Sequence, residues 1–262
     1  MKYIDAHIHL NMKAKDPVRD LVENLRQAGC SGAVLILNSD AEKECFFEHC
    51  DELPDSGLVW HIGMLVDLDS PHKNETDYFS VLKRNFLPYS VKLHSRISRL
   101  SIGDIPAILS QIRNMEQLFE NIIVDGFYYG SRIENCISLE LVIAAARAFP
   151  EKTVVYSHSG GIHILETLVH LRDLPNIVYD FSLSCNYLRN TSVYPDFVQI
   201  LRFNKTKVMF GSDHPDFSIP SALKTTGEMA DDAGLSSSER ESLFCGNAMK
   251  YYSFRQMGSV RK

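Results

Sequence analysis

The chain has no CxxC pair, no GxGxxG turn, no low-complexity tract and no internal repeat. Each absence closes a class. Its six cysteines, at 30, 45, 50, 136, 185 and 245, are scattered, and Cys45 and Cys50 stand five apart, which is not a usual zinc-ribbon spacing. They are expected to be reduced thiols. Without a Gly-rich turn after the first strand, an open dinucleotide-binding sheet lacks its usual sign. No apolar run approaches the roughly 18 residues needed to span a bilayer, so no membrane partner is expected. The opening Met1-Lys2-Tyr3-Ile4-Asp5 lacks the long apolar stretch of a signal peptide, so a cytoplasmic location is expected. Positive charge is not in excess: the net charge is −6 and there is no basic stripe, which gives nucleic acid no footprint.

What remains is an ordinary globular composition, 45% hydrophobic and 23% charged over 262 residues. No Pro/Ser-rich linker divides it, so residues 1–262 are read as a single domain. Short β-branched runs alternate with helical patterns. Strands are expected at 3–9, 33–37, 58–66, 90–94, 122–126, 153–158, 177–181 and 208–213. Val18, Leu21, Val22 and Leu25 have helical spacing, and Gly29 follows as a C-cap residue. Helices are also expected at 105–119, 139–149 and 162–171. Ser236 and Glu239 form a capping box ahead of one running to Tyr251. Strands alternating with helices imply right-handed crossovers and a parallel sheet. About eight such units in roughly 250 residues is the count of a closed (β/α)8 TIM barrel, whose active site sits at the C-terminal ends of the strands.

The polar residues fall there. The first strand ends in Asp5-Ala6-His7-Ile8-His9, where alternation puts His7 and His9 on one face with Tyr3 and Asp5, opposite Ile4, Ala6 and Ile8. Two imidazoles at a strand end are half a metal site. Strand four carries Lys92 and His94, both able to point inward or outward. Strand five ends in Asp125, strand six in His158 and strand eight in Asp213. His214 has the opposite parity to Asp213. His49, His61, His72, His163 and His170 read as structural. Arg96, Arg99 and Arg132 follow strands four and five, where a substrate carboxylate could be held bidentately. Tyr128 and Tyr129 are candidate pocket walls.

Asp5-Ala6-His7-Ile8-His9, Val91-Lys92-Leu93-His94, His158-Ser159-Gly160-Gly161, Pro175 through Ser182, Gly211-Ser212-Asp213-His214-Pro215 and Gly246-Asn247-Ala248 occur in this order. Together they resemble the amidohydrolase superfamily, in particular its amidohydrolase-related group of TIM-barrel hydrolases and decarboxylases. The resemblance runs from about Tyr3 to Tyr251. It implies that His7 and His9 are metal ligands and that Asp213 binds the metal and shuttles protons. It makes His158 the strand-six histidine that approaches the metal or polarises the substrate. It matches Lys92 to a strand-four position often held as Lys. The departure is strand five, where the family usually has a metal-binding His and this chain has Asp125. Either Asp125 is an oxygen ligand, or His94 or His158 completes the shell, or the site is degenerate. The implied activity is hydrolysis of a C–N or C–O bond in a small carbonyl or carboxylate compound. The ion would be Zn²⁺, with Mn²⁺ as the harder alternative. Non-oxidative decarboxylation and a metal-free binding barrel are the rival readings. The expected partner is a small-molecule substrate, with a homo-oligomer possible.

Overall fold

The computed structural model describes residues 2–49, 56–66, 78, 81–82 and 87–256. Eight strands, β1 (Tyr3–Ile8), β2 (Cys30–Leu37), β3 (Val59–Leu65), β4 (Tyr89–Leu93), β5 (Ile122–Asp125), β6 (Val154–Ser157), β7 (Ile177–Asp180) and β8 (Val208–Met209), pair in sequence order. Every pairing from β1·β2 to β7·β8 is parallel. The ring closes through single bonds rather than a ladder. Ala6 N donates to Phe210 O (2.9 Å), Asp213 N to His7 O (2.9 Å) and His9 N to His214 O (2.8 Å). The fold is the expected (β/α)8 TIM barrel.

Period-two alternation explains its two apolar layers. Ile4, Ala6, Val34, Ile36, Ile123, Val155, Val178 and Met209 fill the barrel interior. Their neighbours of opposite parity, Ala33, Leu35, Trp60, Ile62, Val91, Leu93, Val124 and Tyr179, face the surrounding helices. The helix Pro17–Gln27 shows how one of those helices is specified. Asp16 caps its N-terminus, Pro17 opens it, and Val18, Leu21, Val22 and Leu25 form its buried stripe. Each such side chain contributes about 1.5–3 kcal/mol by leaving water. Gly29 follows the helix at φ +74°, a conformation that costs glycine nothing.

Several elements differ from the sequence expectation. The helix expected over 105–119 ends at Asn114. The C-terminal helix is broken into Ser237–Glu241, a π-helical turn at Ser242–Gly246, and Asn247–Tyr251. The helices Asp40–His49, Tyr194–Phe203 and Ile219–Asp232 were not read from the pattern. A ninth strand, β9 (Arg255–Gln256), runs antiparallel to the start of β3. It brings Tyr252 beneath the barrel interior, beside Ala248. No helix among the described residues is long and apolar enough to cross a membrane. His72 and Cys50 lie outside the described residues; Cys30, Cys45, Cys136, Cys185 and Cys245 are free.

The barrel-mouth cluster as a candidate metal centre

The parity of β1 breaks where the site begins. From Asp5 to Ile8 the first strand advances three residues while β2 advances two, from Ala33 to Leu35. This register shift is a bulge, and bulges re-aim side chains. Ile4 and Ala6 therefore belong to the interior, yet Ile8 packs in the helix layer. Strict alternation had placed Ile4, Ala6 and Ile8 together.

His7 and His9 converge with Asp213 at the mouth. Asp213 Oδ1 lies 3.5 Å from His7 Nε2 and 3.5 Å from His9 Nε2. Each imidazole is oriented from behind. His7 Nδ1 donates to Asp180 Oδ2 (3.2 Å), and His9 Nδ1 donates to Ile36 O (3.0 Å). Both partners only accept, so both rings carry their proton on Nδ1 and turn an Nε2 lone pair towards Asp213, that of His7 also facing Lys92 Nζ at 3.3 Å. Asp213 sits at φ +60° just past β8. Its Oδ1 is buried and has no hydrogen-bond partner. Two imidazole lone pairs and an orphaned carboxylate oxygen are a donor set suited to a divalent cation, and the residues fit the metal that the motifs imply. Burial would raise the Asp213 carboxyl, but the imidazoles of His9, His158 and His7 outweigh it and hold it well below the usual carboxylate range. His7 is pushed down to about 4 by burial and by the nearby Lys92 ammonium, so it is neutral, as a ligand must be.

Asp125 stands in a second group beside the first. Its Oδ2 is 3.2 Å from His158 Nε2, 3.5 Å from His94 Nε2 and 3.7 Å from Lys92 Nζ. Lys92 and His94 both point inward, and Lys92 Nζ also lies 3.3 Å from His7 Nε2. Burial alone would raise Asp125, yet His94, His158 and Lys92 keep it well below the usual range. His158 faces acceptors on both sides: Nε2 meets the Asp125 carboxylate, and Nδ1 donates to Ser182 O (3.1 Å). The Ser182 hydroxyl, also 2.9 Å from Nδ1, donates to Asp180, so an imidazolium satisfies both acceptors. Burial would lower His158, but its hydrogen bond to Asp125 and the Asp125 charge raise it to about 9. His94 is lowered to about 4 by burial.

Asp180, at the end of β7, was missed from the sequence. Its Oδ1 accepts from His158 N (3.1 Å), Ser182 N (3.1 Å) and Ser182 Oγ, and its Oδ2 from His7 Nδ1. His7, His158 and Asp180 are close enough to suggest a second metal group, but these bonds already use their donors and acceptors. The group that remains open is His7, His9 and Asp213. The signal for Asp180 was present, since β5 and β6 also end in or just before a polar residue that faces the site. Glu42 was also unforeseen. It caps the helix Asp40–His49, with Oε2 accepting from Asn38 N (2.8 Å) and Ser39 N (2.9 Å), and sets Oε1 3.7 Å from His9 Nδ1.

A cavity of about 610 Å³ opens over both groups. Its polar lining includes His9, Glu42, Lys92, His94, Asp125, His158, Asp213 and Asp216, and its wall includes Phe127, Tyr129, Tyr187 and Phe217. Phe127 joins the wall to the site, packing edge-on against Tyr187 (5.5 Å between centroids) and His158 (5.9 Å). The turn after β6 brings Phe127 close to the backbone: a Cβ on Gly161 would lie 3.0 Å from its ring, and one on Gly160 would lie 2.3 Å from Thr167 Oγ1. Arg96, Arg132 and Tyr128 are not among the lining residues. Arg96 lies over the Tyr129 ring (3.2 Å to the centroid), Arg132 is exposed, and Tyr128 Oη accepts from Leu139 N (3.1 Å). Arg99 is exposed. His61 is structural as read, with Nδ1 donating to Ser253 O (2.8 Å) and Nε2 accepting from Ser90 Oγ (2.7 Å). His214 is buried beside the site, and its O accepts from His9 N.

The TIM barrel thus brings a His-x-His pair and the Asp that follows β8 together at its C-terminal mouth. The family model described as Amidohydrolase matches residues 126–254. That match spans just under half of the chain and agrees with the resemblance carried by the ordered motifs. Solved structures of similar fold include an uncharacterized TIM-barrel protein from Bordetella bronchiseptica, at 15% identity and TM-score 0.70, covering 96% of this chain and 98% of that one. A dihydroorotase from Campylobacter jejuni is similar at 17% identity and TM-score 0.62, covering 95% and 82%. An N-isopropylammelide isopropylaminohydrolase from Burkholderia multivorans is similar at 12% identity and TM-score 0.57, covering 99% and 77%. At these identities the likeness concerns the fold. Comparison with curated proteins by sequence finds no match.

Proposed function

We propose that the protein is a metal-dependent hydrolase that cleaves a C–N or C–O bond in a small carbonyl compound. The observation that carries the reading is the orphaned Asp213 Oδ1, buried 3.5 Å from two imidazole nitrogens whose other nitrogens are both tied down. His7, His9 and Asp213 would hold one divalent ion, with Zn²⁺ favoured by the mixed nitrogen and oxygen set and Mn²⁺ the alternative. Such an ion supplies Lewis acidity, lowering the pKa of a water from 15.7 towards roughly 7 and polarising the substrate carbonyl. Asp213 takes the water's proton on Oδ2 and passes it to the leaving group. His158, held charged by Asp125, stabilises the negative charge that grows on the carbonyl oxygen. In this reading Asp125 and His158 orient and charge the site rather than ligate. Lys92 offsets the buried Asp125 charge.

The aromatic wall favours a flat carbonyl compound. Elemental analysis of protein purified without added metal tests the reading, followed by parallel assays of amide, ester and lactone hydrolysis and of carbon dioxide release. About one ion per chain with hydrolysis supports it. No ion, unrestored by Zn²⁺ or Mn²⁺, refutes it, and carbon dioxide release alone moves the protein to the decarboxylases.

A further inference from the structure

The bulge in β1 that brings His7 to the mouth lies beside the seam where the barrel closes without a ladder. The β8 ladder ends at Met209, so the segment carrying Gly211, Ser212 and Asp213 reaches β1 without a regular strand to hold it. Gly211 lets that segment lie close against β1, since a Cβ there would be 3.1 Å from His7 Cβ. Buried N–H groups must find acceptors. His7 and Ser212 are both fully buried; the shifted β1–β2 register leaves the His7 N–H without a ladder partner, and Ser212 lies past the end of the β8 ladder. One atom takes both. Asp5 Oδ1 accepts from Ser212 N (2.9 Å) and from His7 N (3.2 Å). Asp5 is itself fully buried, its Oδ2 has no hydrogen-bond partner, and it does not line the cavity.

We infer that Asp5 is a positioning residue for the metal centre: its one oxygen clamps the His7 backbone to the segment carrying Asp213 and so sets the spacing of two ligands from opposite ends of the chain. The inference rests on the proposed His7, His9 and Asp213 centre. Asp5 touches neither ion nor substrate and acts through two peptide N–H groups. The seam has few other ties. Asp213 N donates to His7 O, Ala6 N to Phe210 O and His9 N to His214 O, and none of these bonds fixes Ser212, the residue that precedes Asp213.

The test is metal affinity measured by chelator competition on folded protein, together with the visible spectrum of the Co²⁺-loaded protein, which reports ligand geometry. Asp5→Ala removes the acceptor and is expected to weaken Zn²⁺ binding by about 10–100-fold and to shift the Co²⁺ bands. Asp5→Leu keeps the shape without the acceptor and is expected to do the same. Asp5→Asn keeps Oδ1 and is expected to stay within about 3-fold of wild type with an unchanged spectrum. Leu25→Ala, a core change remote from the seam, is the control that lowers stability without moving affinity. Should Asp5→Ala not fold, the contrast between Asp5→Leu and Asp5→Asn decides. Equal affinities and spectra in those two variants overturn the clamp, and so does a loss beyond about 10-fold in folded Asp5→Asn. A wild type that binds no ion overturns the proposed function and this inference together. A wild type that binds one ion, with Asp5→Ala and Asp5→Leu unchanged, overturns this inference alone.

Discussion

Removing the Asp125 carboxylate should discharge His158. In the metal-free protein His158 is raised to about 9 by a hydrogen bond and an ion pair to Asp125, against an ordinary value of 6.5. A raised histidine stabilises the fold fully below its unfolded pKa, and that contribution is lost as pH rises through the folded pKa. The window is therefore pH 6.5 to about 9. At 1.36 kcal/mol per unit, the shift is worth on the order of 3 kcal/mol. Asp125→Asn leaves His158 with an amide in place of the charge, while burial continues to push its pKa down. We expect the His158 pKa to fall by about two units or more. The variant's stability deficit, relative to wild type, should be greatest below pH 6.5 and should shrink by on the order of 3 kcal/mol towards pH 9. Lys92 loses its carboxylate partner at every pH, so a constant penalty remains. The assay is side-chain NMR titration of His158 in chelator-treated protein, with urea unfolding at pH 6, 7.5 and 9. A wild-type His158 that titrates near 6.5, or a deficit that does not vary with pH, refutes the reasoning.

Further outcomes follow from the same geometry. His9→Ala and Asp213→Asn should each reduce bound metal from about one ion to near zero and abolish activity; retention by both would show that the centre lies elsewhere. Asp180→Asn replaces the acceptor behind His7 Nδ1 and should weaken Zn²⁺ binding by about 10–100-fold, read by chelator competition. Gly160→Ala forces a Cβ to within 2.3 Å of Thr167 Oγ1 at a φ of +86°, and should cost at least about 1–3 kcal/mol in urea unfolding. Leu25→Ala should cost about 2–5 kcal/mol without changing metal stoichiometry.

The fold was legible because its code is local. Period-two runs bounded by Gly and Pro give strands, and the Val18, Leu21, Val22 and Leu25 stripe gives a helix, from neighbours in the chain alone. Weakly patterned segments were not legible. The helix Asp40–His49 buries Glu42, Lys43 and Phe46, which form no apolar stripe, so its sequence carries little helical periodicity. The break at Ser242–Gly246 depends on packing against β1 and β8 rather than on propensity.

The site divides in the same way. The sequence by itself determined which strand ends carry His7, His9, Lys92, Asp125, His158 and Asp213, because a strand's end and its polar residue are adjacent in the chain. Only the tertiary structure decided how they sort. Distances between strands far apart in sequence put Asp213 with His7 and His9, and Asp125 with His94, Lys92 and His158. The bulge that brings His7 onto the same side as Ala6 is a register relation between β1 and β2, invisible in either strand alone. The support that Asp180 gives His7 and the clamp at Asp5 are likewise contacts across 173 and 207 residues, which only barrel closure brings within hydrogen-bonding range.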